Sequence, residues 1–284
     1  MKYDLIVLGS GPAGLAAALC ARGRNKSVLV IGNRWQDSPL AKAPVVDNYL
    51  GMSAQSGGQM LETFVRQVKE AGADFVEGRA VSLMQFQGIM VTVGSEIYEG
   101  KALILAPGVT RAAKYPGEAE LLGRGVSYCA TCDGMLYRGK EVVVIGQSTD
   151  APHEANYLHS IGCKVTYVAA KRPEELEETI PFVQSGKISV QGETQVSGLM
   201  VNETEIPCAG VFILRNAVAP TDLLPALKTE EGAIWVDRRM ATSLPGVFAA
   251  GDCTGQPLQI AKAVGEGHVA ALSACEYLDS QKQE

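Results

Sequence analysis

Residues 3–14 read Tyr3-Asp4-Leu5-Ile6-Val7-Leu8-Gly9-Ser10-Gly11-Pro12-Ala13-Gly14. The first half is a short β-rich apolar run, the pattern of a buried strand. The glycine cluster follows at once, and Leu15-Ala16-Ala17-Ala18-Leu19-Cys20-Ala21 beyond it is strongly helix-forming. Pro12 suits a first helical turn, where its missing N–H costs nothing. Ser27 to Ile31 is a second buried strand. The order is strand, glycine turn, helix, strand: a βαβ unit. A G-x-G-x-x-G alone is weak evidence, but directly after a strand and opening a helix it reads as a dinucleotide loop. Its glycines allow a tight turn and close approach of a pyrophosphate, and the helix start offers N–H groups and a positive dipole end. About 20 residues on, near Ile31 to Asn33, no Asp or Glu stands ready for a ribose 2′-OH. The loop therefore reads as dinucleotide-binding without specifying NAD.

A second frame begins at Glu141. Val142-Val143-Val144-Ile145-Gly146 is a strand ending in a glycine turn, His153 to Ile161 is helical, and Lys164 to Ala169 is the next strand. Its loop, Gly146-Gln147-Ser148-Thr149-Asp150, has Ser148 at the second motif glycine and an acidic Asp150 at the helix start. Both oppose an anion there. Glu174, Glu175, Glu177 and Glu178 read as the acidic first turn of a solvated helix. Elsewhere residues 33–60 read as a long loop and Met60 to Ala71 as an amphipathic helix. Short antiparallel strands are expected over residues 74–98 and a buried strand at 101–106. Ile188 to Leu214 is β-rich, Val247 to Ala250 is a strand, and Ile260 to Leu278 is a final helix in which Gly265, Gly267 and Ala270 allow close packing.

Between the two frames lies Cys129-Ala130-Thr131-Cys132-Asp133-Gly134, the one C-x-x-C among seven cysteines. Two thiols at this spacing can close and reopen a small disulfide ring. The odd, scattered cysteines do not form a secreted disulfide framework, so a reducing, cytoplasmic setting is expected. A zinc site needs four ligands, and with no second C-x-x-C and only His153, His159 and His268, no metal is expected. The thiols Cys20 and Cys275 read as core residues and Cys253 as a packing thiol. No stretch approaches ~18 apolar residues, so no membrane span is expected, and no secretory leader is visible. A net charge of −6 argues against nucleic acid as the main partner.

Four motifs together resemble the low-molecular-weight thioredoxin reductases over nearly the whole chain. They are Gly9 to Gly14, Asn48-Tyr49-Leu50-Gly51, Gly125-Val126-Ser127-Tyr128 running into Cys129-Ala130-Thr131-Cys132-Asp133, and Gly246-Val247-Phe248-Ala249-Ala250-Gly251-Asp252. The degraded second loop, the sequence Val168-Ala169-Ala170-Lys171-Arg172 where that family carries a basic run, and the short middle section are most similar to the ferredoxin-dependent flavin thioredoxin reductases. The stretches Ala43 to Gly51, Gly251-Asp252-Cys253-Thr254-Gly255 and Lys262-Ala263-Val264-Gly265-Glu266-Gly267 support that likeness.

The resemblance implies an α/β protein of two Rossmann-like three-layer domains. A discontinuous FAD domain would span 1–112 plus 240–284, with an inserted, smaller NAD(P)H-domain-like module over 115–238 that carries the C-x-x-C. It implies FAD held at Gly9, Ser10, Gly11, Pro12, Ala13 and Gly14, and at Gly251 and Asp252, with Asp252 on the ribityl chain. Asn48 and Gln259, Ile260 and Ala261 would lie by the flavin. No NADPH is expected. The function so implied is reduction of thioredoxin through FAD and Cys129–Cys132, with electrons from ferredoxin. The alternatives are an NADPH-driven reductase and a flavin redox sensor without turnover. Cys132 is assigned to the flavin, Cys129 to attack on the partner disulfide, and Asp133 to proton transfer. The family also implies a homodimer. Because one pose seldom serves both flavin and partner, joints are expected near 111–116 and 236–245. Candidate cations for an acidic ferredoxin are Arg22, Arg24, Lys26, Arg34, Lys171 and Arg172.

Overall fold

A computed structural model describes residues 2–86, 88–109, 114–215 and 218–281. The chain divides into two compact units, Met1–Thr110 with Ala217–Glu284, and Arg111–Asn216.

The first unit opens with β1 (Lys2–Leu8), α1 (Pro12–Arg22), β2 (Val28–Gly32), α2 (Gly57–Glu70), β3 (Asp74–Glu77), β4 (Ala80–Gln85), β5 (Ile89–Val93) and β6 (Glu96–Leu105). The second unit holds β7 (Val126–Ser127), α3 (Ala130–Asp133), β8 (Glu141–Gly146), α4 (Ala151–Ser160), β9 (Lys164–Ala169), β10 (Phe182–Gln184), β11 (Ile188–Gly192), β12 (Val196–Val201), β13 (Thr204–Pro207) and β14 (Gly210–Leu214). The chain then returns to the first unit with α5 (Pro220–Leu223), β15 (Thr229–Glu230), β16 (Ala233–Ile234), β17 (Val247–Ala249) and α6 (Ile260–Ser280).

The first sheet runs β3-β2-β1-β6-β5-β4, with β17 also on β6. Strand β1 is parallel to β2 and β6, as the βαβ reading required. Its alternation fills two cores: Leu5 and Val7 join the helices α1 and α6, while Ile6 and Leu8 face Leu83, Val91 and Val247. Strand β6 does two jobs. Its first half pairs antiparallel with β5, and its Leu103–Leu105 end is flanked by parallel β1 and β17 and fully buried. Helix α6 lies close on α1, because a methyl at Gly267 would sit 2.1 Å from the Ala13 carbonyl oxygen. Gly265 has open space instead and takes no part in that contact. Helix α2 starts at Gly57, three residues earlier than expected, because Ser56 and Gln59 form a reciprocal capping box.

The second unit is a parallel sheet in the order β10-β9-β8-β14-β7, beside an antiparallel sheet β11-β12-β13. Its core joins Ala130 of the C-x-x-C to Val142, Val144, Leu158, Tyr167 and Phe212. Two expectations fail here. Glu174–Glu178 form turns, not a helix. The Arg172 guanidinium binds the Glu177 and Ile180 carbonyls, and Asn156 accepts the Glu177 N–H, so tertiary bonds override the helix-forming composition. The second crossing between units falls at 216/217, not near 238–240. Leu224, Leu227 and Ile234 belong to the first unit's core with Ile6 and Leu103. The joint expected over 236–245 is knitted into the same unit, since the Asp237, Thr242 and Ala249 N–H groups donate to the Ala241, Val247 and Met240 oxygens. Of the other expected joint, residues 111–113 lie outside the described residues, as does the chain end from Lys282.

Candidate functional site

The glycine loop sits at the carboxyl end of β1. Gly9 has φ +120°, and a methyl there would lie 2.0 Å from the Ala106 carbonyl oxygen. A methyl on Gly14 would lie 1.9 Å from the Gly9 oxygen. Gly11 differs, because a methyl there would meet nothing within 4 Å. It caps α1 without a side-chain bond, Pro12 follows, and no acidic side chain stands in the first turn. A helix start carries N–H groups with no intrahelical partner. Open space above such N–H groups is the cradle an anionic pyrophosphate requires, so these residues fit FAD.

That difference yields a prediction. Gly11→Ala is expected to fold as the parent does and to hold its dinucleotide about tenfold more weakly, whereas Gly14→Ala loses ~1–3 kcal/mol of stability through the clash with Gly9. Thermal unfolding and cofactor retention, measured side by side, separate the two.

The last motif closes on the same edge. Ala250 donates its N–H to the Leu105 oxygen at 2.9 Å, and a methyl at Gly251 would lie 2.8 Å from Ala13 Cβ. Asp252 follows, and burial pushes its carboxyl above the ordinary value, with Lys262 opposing and Glu266 reinforcing. Gln259 and Ala261 are exposed at the start of α6, with Ile260 between them half-buried. The structure thus brings together Gly9 to Gly14 with Gly251 and Asp252. Asn48 is exposed on a turn closed by the Val46–Gln55 bridge. Burial pushes the Cys253 thiol up to about 12, and its Sγ lies 3.3 Å from the Ala250 oxygen, so it behaves as a packing thiol.

In the second unit Cys129 and Cys132 are joined as a disulfide with Cα atoms 5.3 Å apart. Cys129 caps the short helix α3 and is buried; Cys132 is exposed. The Cys129 sulfur accepts the Cys132 N–H at 3.1 Å and lies 3.4 Å from the Thr131 hydroxyl. Both donors suit a thiolate at Cys129 once the ring opens. Ser127 ties the group together. Its hydroxyl donates to Asp133 Oδ2 at 2.7 Å and accepts the Cys129 N–H at 3.1 Å. Glu154 of α4 accepts the Ala130 N–H at 3.2 Å.

The second glycine loop follows β8. A methyl at Gly146 would lie 1.8 Å from the Tyr167 hydroxyl, and Ser148 buries a hydroxyl that has no hydrogen-bond partner. Strand order reverses between β8 and β14, and in open parallel sheets ligands bind at the carboxyl edge of such a switch point. Here the chain's own side chains fill that place. Arg215, directly after β14, grips Glu118 with two bonds of 2.5 and 2.7 Å. Its Nε donates to Gln147 Oε1 at 3.1 Å, and Gln147 Nε2 donates to the Tyr115 hydroxyl at 2.6 Å. The Tyr128 hydroxyl and the Tyr115 N–H also donate to Glu118, and the guanidinium lies over the Tyr115 ring. Glu118 is wholly buried. Burial alone would raise its carboxyl, but Arg215 and the other donors hold it below the ordinary range.

Sequence reading missed Glu118, Arg215, Ser127 and Glu154. Arg215 and Glu118 are 97 residues apart, so only a co-varying partner could have signalled them. Three of the six cations considered for docking are tied to backbone or buried: Arg22 binds the Ala71 and Lys26 carbonyls, Lys26 is buried against Asp279, and Arg172 binds two carbonyls. Arg34 stays exposed in a surface pair with Asp37, and Arg24 and Lys171 are exposed as well.

A dinucleotide loop on one unit and a redox disulfide on a second parallel-sheet unit define a flavin-type disulfide oxidoreductase. Residues 3–267 match the model of the pyridine nucleotide-disulphide oxidoreductase family. The chain is 32% identical to the thioredoxin reductase of Listeria monocytogenes over 99% of itself and 95% of that relative. It is 34% identical to that of Treponema pallidum over 98% of each. Among solved structures, a ferredoxin-flavin thioredoxin reductase from Clostridium acetobutylicum is 39% identical, covers all of both chains and superposes with a TM-score of 0.86. The chain belongs to the pyridine nucleotide-disulphide oxidoreductase family and, within it, to the thioredoxin reductases.

Proposed function

We propose that this protein reduces the disulfide of a thioredoxin through Cys129 and Cys132, with electrons that reach its FAD from a reduced ferredoxin and not from NADPH. The observation that carries the choice of donor is the Glu118–Arg215–Gln147–Tyr115 network on the switch point of the second unit. A pyridine nucleotide there would have to displace a buried, bidentate ion pair, which costs several kcal/mol. The loop beside it offers Ser148 and Asp150 in place of bare backbone. The likeness to the ferredoxin-flavin enzyme of Clostridium acetobutylicum supports the same donor.

Bound FAD supplies two electrons together to a disulfide and can collect them singly from a one-electron donor. The protein's residues do the rest. The Cys129–Cys132 disulfide takes up two electrons and two protons and opens to two thiols. Cys132, exposed, is the sulfur that meets the reductant. Cys129, with the Cys132 N–H and the Thr131 hydroxyl beside its sulfur, becomes the nucleophile. Its thiolate attacks the partner disulfide, giving a mixed disulfide and one partner thiolate. Cys132 then attacks Cys129, which re-forms the ring and releases the second partner thiolate. Asp133, oriented by Ser127, delivers protons to the leaving thiolates.

The pyridine nucleotide named in the family, and the βαβ frame of β8, α4 and β9, favour the competing reading of an NADPH-driven enzyme. Steady-state thioredoxin reduction distinguishes them. Reduced ferredoxin is expected to sustain turnover and NADPH to give only background. Equal turnover from NADPH overturns the donor assignment. We carry a cytoplasmic setting from the cysteine pattern and a homodimer from the resemblance; no described helix is long and apolar enough to cross a membrane.

A further inference from the structure

The turn Gly251-Asp252-Cys253-Thr254-Gly255 links β17 toward α6 and is bounded by glycines at φ +85° and +107°. Glycine backbone is the most costly to hold in one conformation. The turn has two short backbone bonds of its own, Thr254 N–H to the Gly251 oxygen at 3.0 Å and Gly255 N–H to the Asp252 oxygen at 3.2 Å. Within the turn the Thr254 hydroxyl also lies 2.7 Å from the Gly251 oxygen, and the Cys253 thiol reaches the Ala250 and Leu105 oxygens at 3.3 and 3.5 Å. Two side chains one turn apart on α6 add the restraint from outside it. The Lys262 ammonium has three protons, and it donates to the Gly251 oxygen at 2.9 Å, Thr254 Oγ1 at 3.0 Å and the Gly255 oxygen at 2.7 Å. Glu266 Oε2 accepts the Gly251 N–H at 2.9 Å, lies 2.9 Å from Thr254 Oγ1, and pairs with Lys262 at 3.2 Å. Both polar groups of the Gly251 peptide linkages are therefore held by α6, and Lys262 and Glu266 are largely shielded, at 16% and 20% exposure.

We propose that Lys262 and Glu266 are positioning residues for the cofactor: they preset the Gly251–Gly255 turn, and with it Asp252, in the conformation that FAD meets. This rests on the reading of the Asp252 turn as part of the FAD site. The pair is not what fixes α6 to the fold, because Ala263, Ala270, Ala271, Ala274 and Leu278 bury that helix against α1 and β1 independently. Its removal frees the turn without unseating the helix. The cofactor then has to order that backbone as it binds, which weakens its retention.

The test starts from the FAD-loaded full chain and follows FAD release by the fluorescence of the freed flavin. Lys262→Met and Glu266→Ala are each expected to release FAD about tenfold faster than the parent, with the unfolding temperature of the FAD-free protein close to the parent's. Glu266→Gln keeps an acceptor for the Gly251 N–H and is expected to recover most of the parental rate. Unchanged release in Lys262→Met and Glu266→Ala overturns the proposal. So does failure of either variant to fold, which makes the pair structural, and so does equal loss in Glu266→Gln. A parent chain that retains no FAD is a different failure, that of the underlying cofactor reading.

Discussion

Cys132→Ser is expected to abolish thioredoxin reduction, by at least ~10³-fold, while the protein folds and retains its flavin. No intramolecular disulfide can form in this variant, so the flavin is reduced and its electrons have no outlet. Cys129 remains, with the Cys132-position N–H and the Thr131 hydroxyl beside its sulfur. It attacks an oxidised thioredoxin but nothing resolves the product, so a stable mixed disulfide accumulates. Cys129→Ser loses turnover equally but leaves its nucleophile at the exposed position. Mass spectrometry of the trapped complexes checks the order of the two sulfurs. A complex that forms more readily through Cys132 reverses the assignment, and undiminished reduction in either variant contradicts a redox role for the pair.

The second large effect concerns stability. Arg215→Leu leaves the Glu118 carboxylate wholly buried without its bidentate partner, and breaking such a pair costs about 3–5 kcal/mol. For a unit of this size that lowers the unfolding temperature by roughly 15 °C. The sign of the pH dependence follows from the direction of the Glu118 shift. Its folded value lies below the ordinary 4.5, so the stability it contributes is present above that value and is lost as the pH falls through the folded one. The gap between parent and Arg215→Leu is therefore widest near neutrality and narrows on acidification. Glu118→Leu combined with Arg215→Leu removes both charges and is expected to recover much of the loss. Thermal melts of the three proteins at several pH values measure this; a constant gap across pH refutes an ionised pair.

The strength of the sequence signal differed among the elements. The run Leu5 to Gly14 shows both faces of a buried parallel strand and its loop in ten residues, because strand, turn and helix are each encoded locally. Cys129–Cys132 is likewise local. The boundary at 216/217 was not legible. Leu224 and Leu227 reach the first core from the segment just after α5, and Ile234 from β16, elements too short and irregular to show a period. The Glu174–Glu178 helix was misjudged because Arg172 and Asn156 hold that backbone in turns, a long-range effect no composition reveals. The degraded second loop pointed to a lost nucleotide, but what fills its place did not show. Tyr115 with Glu118, Gln147 and Arg215 come from three separate stretches and meet only through the order of β8 and β14.

The position of that network gives the protein its proposed character: the second unit keeps a nucleotide-domain frame and mounts a disulfide on it. An anaerobic titration of the FAD-loaded protein, followed by flavin absorbance, tests this most directly. Reduced ferredoxin is predicted to bleach the flavin in proportion to the electrons added, and NADPH in excess to leave it oxidised. Rapid bleaching by NADPH would contradict the account.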